Sequence, residues 1–88
     1  MKLVITILRD IESEPVSQAL ITGGFRVTRI ASTGGFLRRG SSTLMVGVSD
    51  EAVDQVVEVI RRSVTQPAEP GQHRATLFVL PVEHYSQI

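Results

Sequence analysis

The chain has no cysteine, which removes disulfides, thiolate nucleophiles and cysteine-ligated zinc, and leaves the redox compartment open. An excess of charge of one sign is missing too. Nine basic and nine acidic side chains give a formal net charge of zero, so no overall field draws the protein onto nucleic acid or an anionic membrane. Any anion site therefore has to be local. Long hydrophobic runs are absent as well: the opening "MKLVITILRD" is too short to span a bilayer and lacks a small-residue cleavage site. It reads as a strand of a cytoplasmic protein, with no membrane insertion. At 88 residues the chain suits one domain, 1–88, whose core is small enough for oligomerisation to be a natural support.

What is present is a series of short, well-punctuated segments. Lys2 to Leu8 is rich in β-branched residues and apolar at both parities, which predicts a strand apolar on both faces. In "SEPVSQALITGG", Ser13 reads as an N-cap, Pro15 falls in the first turn, and Gly23 or Gly24 supplies the stop, which predicts a short amphipathic helix. Phe25 to Ser32 returns to a period of two, with Arg26, Thr28 and Ile30 facing one way and Phe25, Val27 and Arg29 the other.

"STLMVGVSD" predicts a third strand, in which Gly47 suggests a close approach by another group. "SDEAVDQVVEVIRRSV" gives the clearest helix, capped by Ser49 or Asp50, with Val53, Val56, Val57, Ile60 and Val64 as its core stripe and Arg61 and Arg62 in its last turn. After a surface loop in "TQPAEPGQHR", "ATLFVLPVEHY" supplies a fourth strand ended or pushed to an edge near Pro81.

The order β-α-β-β-α-β implies an α+β, ferredoxin-like subunit: an antiparallel sheet with both helices on one face. Two helices cover only one sheet face, yet strands one, three and four are apolar or small on both. Left to solvent, the second face would be a larger apolar patch than soluble monomers usually carry, so a homo-oligomer packing its sheets together is expected.

The chemistry concentrates in "ASTGGFLRRGSST", residues 31–43. Gly34 and Gly35 permit backbone conformations in which successive N–H groups form an anion-binding concavity, although a glycine pair alone more often makes a plain hairpin connection. Arg26 and Thr28 before the loop, and Arg38 and Arg39 within it, add donors for phosphate oxygens. Phe36 either tucks into the core or stacks on a nucleobase, with Leu37 as an apolar neighbour and Ser41, Ser42 and Thr43 as hydrogen-bonding groups.

Elsewhere His73 and His84 have no metal-ligand spacing, which argues against a metal. Glu12, Glu14, Glu51, Asp54 and Glu58 read as helix-start or solvated charges, and Tyr85 as packing the tail. No serine has an identifiable histidine partner, and no carboxylate pair marks an acid and base. An enzyme on this fold such as an acylphosphatase needs an arginine and an asparagine around a phosphate loop, and the chain has no asparagine. An RNA-binding module would display aromatics on its central strands and a basic face; Phe78 is the one aromatic well inside a predicted strand.

"MKLVITILRD", "GGFRVTRIASTGGFLRRGSSTLMVGVSDEAVDQVVEVI" and "ATLFVLPVEHYSQI" together resemble the PII-like cyclic di-AMP receptor family of bacterial signal-transduction proteins. The specific part is an F-R-x-T strand leading into a T-G-G-F-L-R-x-G loop. The resemblance implies a ferredoxin-like homotrimer with inward-facing sheets, ligand pockets between subunits, cyclic di-AMP as the ligand with no further cofactor, signalling by loop rearrangement to an unidentified protein target, and no catalysis. By position, Arg26 would contact a phosphate, Thr28 would hydrogen-bond in the pocket, Gly35, Phe36 and Leu37 would shape the base site, and Gly47 would permit close packing on the ligand. Ser41 stands where the family usually has asparagine, Gly24 where asparagine is often seen, and the segment 65–74 is shorter than the family's glycine-rich insertion. The alternative is a PII-like trimer that senses ATP, ADP or another nucleotide.

Overall fold

The computed structural model describes residues 1–30, 41–64 and 75–88. Its elements are β1 (Lys2–Arg9), α1 (Asp10–Thr22), β2 (Thr28–Ile30), β3 (Ser41–Val48), α2 (Val53–Ser63) and β4 (Ala75–Pro81), with a 3-10 turn at Asp50–Ala52 leading into α2. The sheet is antiparallel, in the order β2-β3-β1-β4. This is the expected α+β, ferredoxin-like arrangement. Pro81 closes an edge strand, where its missing N–H costs no ladder bond.

Alternation along β1 and β3 sends Val4, Leu8, Leu44, Val46 and Val48 to the helix side. They meet Val16 and Leu20 of α1 and Val56 and Ile60 of α2, and all are buried. Burying such a side chain is worth about 1.5–3 kcal/mol, so this layer dominates the stability of the subunit. Val57 of the expected α2 stripe is only half-buried, while Val59 packs against the core. Among the described residues no helix is long and apolar enough to cross a membrane.

Two helix starts differ from expectation. Ser13 is not the cap of α1: the helix begins at Asp10, directly after β1, and Ser13 is buried in its interior. Asp10 and Glu12 place negative charge in the first turn, which suits the positive end of the helix dipole. Asp10 also accepts a hydrogen bond from the Ser42 hydroxyl of β3, so charge and a tertiary contact start the helix upstream of the proline signal. Glu12 is buried too, with its carboxylate 3.8 Å from Arg9. Likewise the side chains of Ser49 and Asp50 do not cap α2. The 3-10 turn intervenes, closed by the Ala52 N–H on the Ser49 carbonyl, and Asp50 pairs with the Met1 amino group instead.

The stop of α1 is Gly24. Its N–H donates to the Ile21 carbonyl, the Phe25 N–H donates to Leu20, and Gly24 sits at φ +93°. This Schellman arrangement needs a left-handed residue, which glycine supplies most easily and asparagine second. Gly24, where the resemblance leads one to expect asparagine, is thus a helix terminator, and glycine suits its left-handed backbone. Phe25, just beyond, packs against the core and aims the chain into β2.

Candidate functional site

Alternation that buries one face of the sheet leaves Leu3, Ile5 and Ile7 of β1, Thr43, Met45 and Gly47 of β3, Thr28 and Ile30 of β2, and Phe78 and Leu80 of β4 on the other. Neither helix covers this face. Ile7 is 38%, Ile30 48%, Leu80 44% and Phe78 50% exposed.

At one end of this face lies a cavity of about 460 Å³. Register explains its walls. Thr28 pairs with Met45, and the antiparallel line continued two residues further brings Arg26 opposite Gly47. Leu3 pairs with Gly47 from the other side. Arg26, Thr28, Met45, Gly47 and Leu3 accordingly line the cavity together. Three residues singled out in the sequence, Arg26, Thr28 and Gly47, therefore share one site.

The remaining lining comes from the chain ends: Met1 on one side, Val82 and Tyr85 on the other. The Val82 N–H donates to the Met1 carbonyl at 3.1 Å, which ties the start of the tail to the start of β1. The Met1 amino group lies 3.0 Å from Asp50. That hydrogen bond, reinforced by the nearby Lys2 charge, holds the exposed Asp50 carboxyl below its usual range. The Met1 side chain rests over Gly47, where an added Cβ would stand 3.1 Å from Cε. The close approach expected at Gly47 is thus made by Met1, whose flexible thioether end can yield to a ligand.

Chemically the cavity offers the Arg26 guanidinium, the hydroxyls of Thr28 and Tyr85 and an otherwise apolar lining that includes the aromatic ring of Tyr85. That set suits an anionic group attached to a flat, apolar-faced ring system. A second groove of about 510 Å³ runs between α1 and α2, lined by Ala19, Thr22, Gln55, Val59 and Arg62 among others. It contains none of the candidate residues.

Gly35, Phe36 and Leu37, with Arg38 and Arg39, lie outside the described residues, as does His73. Ser41 is exposed at the first position of β3, opposite Arg9. Gly47 is near the other end of the same strand, roughly 20 Å away at the rise of an extended chain, so Ser41 is not part of the cavity. Tyr85 differs from its expected packing role, because the residue is 58% exposed and lines the cavity. Of the residues that sequence reasoning did not single out, Leu3 and Met45 carried a usable signal, since both share the parity of the uncovered face. Met1 and Val82 continue that parity one step beyond β1 and β4, whereas Tyr85 lies past β4 and belongs to no periodic pattern on that face.

A family model described as "Cyclic-di-AMP receptor" matches residues 1–70. Among solved structures, the crystal structure of a functionally unknown protein from Pediococcus pentosaceus is similar, with a TM-score of 0.78 and 33% sequence identity over 99% of this chain and 96% of that one. The family match takes in β1 through α2, and therefore Arg26, Thr28 and Gly47.

Proposed function

Because the chain belongs to the cyclic-di-AMP receptor family, we propose that it is a bacterial signalling protein that binds cyclic di-AMP and catalyses no reaction. The observation that carries the reading is the convergence of Arg26, Thr28 and Gly47 on one cavity of the uncovered face. In this reading Arg26 pairs with a phosphate and Thr28 hydrogen-bonds the ligand. Gly35, Phe36 and Leu37 form the base site, with Ser41 at the root of their loop. Gly47 lets the ligand lie close to β3.

The protein works as a homotrimer whose uncovered faces turn inward. The exposure of Ile7, Ile30, Phe78 and Leu80 supports this, since a subunit alone would leave them to water. The separation of Ser41 from Gly47 supports a ligand held between subunits, where one chain's cavity meets another's loop. Ligand shifts the loop by binding one arrangement better than another, and a protein target reads the difference.

The second reading, ATP or ADP as ligand, is favoured by Ser41 in place of asparagine and by the short 65–74 segment. Calorimetric titration with cyclic di-AMP, cyclic di-GMP, ATP and ADP separates the two. We expect heat from cyclic di-AMP, loss of most of it in Arg26→Ala, and weakening in Phe36→Ala by about 1–3 kcal/mol, the worth of one stacked base. Heat from a mononucleotide and none from cyclic di-AMP would transfer the assignment to the second reading.

A further inference from the structure

Building on the nucleotide-binding reading above, we propose that Tyr85 is the aromatic wall of the described cavity and takes one face of the ligand's base. The family match ends at residue 70, so nothing in it bears on this residue. Of the described aromatic side chains, Phe25 packs on the core and Phe78 stands opposite Ile5 on the sheet, outside the cavity lining. Tyr85 alone among them lines the cavity that also holds Arg26 and Thr28.

The tail is built to present this ring. β4 ends at Pro81, and Val82 is fixed by its N–H on the Met1 carbonyl and lines the cavity itself. Tyr85 follows within one short stretch of chain. The residue is 58% exposed and lines the cavity, so it holds surface that a flat ligand would bury. Leu3 and Met45, both less exposed than Tyr85, line the same cavity from neighbouring strands of the sheet. A planar base between the ring and that apolar wall would leave its phosphate to the Arg26 guanidinium.

The chain supplies its own probe, because Tyr85 is the single tyrosine and there is no tryptophan. Tyrosine emission, excited at the red edge of its band where adenine absorbs least and corrected for absorption by free nucleotide, is followed during titration of the full chain with cyclic di-AMP and, in parallel, with ADP. Wild type, Tyr85→Phe, Tyr85→Leu and Arg26→Ala are compared by calorimetry. We expect quenching in the wild type, affinity within about twofold for Tyr85→Phe, and a loss of roughly tenfold for Tyr85→Leu, which keeps bulk but removes the ring. Circular dichroism should be unchanged in each variant, since the ring is exposed.

If Tyr85→Leu binds cyclic di-AMP as wild type does while Arg26→Ala does not, the role of Tyr85 is overturned and the receptor reading stands. If cyclic di-AMP neither binds nor quenches, but ADP does both and Tyr85→Leu weakens it tenfold, the role of Tyr85 stands and the ligand assignment falls. If neither ligand quenches the wild type, the role of Tyr85 is overturned.

Discussion

The two faces of the sheet are drawn from nearly the same residue types and end in opposite conditions. On one, Val4, Leu44 and Val46 are fully buried beneath α1 and α2; on the other, Ile7, Phe78 and Leu80 retain about 40–50% of their surface. Thr6 and Ile7 are neighbours in sequence, yet the hydroxyl of Thr6 is buried and the alkyl chain of Ile7 faces out. Hydrophobicity alone therefore does not say which face is core. The helices decide, and the apolar face they leave uncovered is the one that carries Arg26, Thr28, Gly47 and the cavity. A sheet with more apolar surface than its own helices cover has material left over for a partner and a ligand.

The contrast can be broken by substitution. Leu44→Ala on the covered face should cost the fold about 3 kcal/mol, read from urea denaturation, because the closed layer cannot collapse into the space left. A cost below about 1 kcal/mol would mean that this layer is not the rigid core described above.

A smaller effect of opposite sign is expected at Thr6, whose Oγ1 is buried without a hydrogen-bond partner among the described residues. Thr6→Val keeps the shape and removes the stranded hydroxyl, and should raise stability by about 1 kcal/mol in the same assay. Destabilisation there would show that the hydroxyl has a partner after all.

Ile7→Glu, one residue along, should disturb the subunit fold least, leaving far-UV circular dichroism intact. Its effect belongs to assembly: light scattering should report the trimer for the wild type and a smaller species for the variant. A wild-type monomer, or an unchanged trimer in Ile7→Glu, would remove the uncovered face from the interface.

The fold was largely legible because each element has a strong local signal: β-branched alternation for β1 and β3, a 3.6-residue stripe for α2, and a glycine pair ending α1. The helix starts were not, because they depend on contacts distant in sequence. Asp10 begins α1 through a hydrogen bond from Ser42, and Asp50 is taken up by Met1, whereas local rules favoured Ser13 and Ser49 or Asp50. The site divides the same way. Arg26, Thr28 and Gly47 could be grouped from strand parity and a shared register, while Tyr85 enters from beyond β4, where the preceding chain is held by one backbone hydrogen bond from Val82 to Met1 and no alternation applies.

The hydrogen bond from Ser42 to Asp10 also has a mechanical consequence. It sits one residue beyond Ser41, at the root from which β3 departs, and Ser42 is buried and laddered to β1. A hinge placed there would have to break a side-chain tether, a strand pairing and the start of α1 together. The root behaves as a fixed post, so a rearrangement of the residues before it stops there and does not tilt the sheet. Under the proposed receptor role, a partner that reads the bound ligand would therefore have to touch the ligand or the residues beside it, since this root passes no displacement into the sheet.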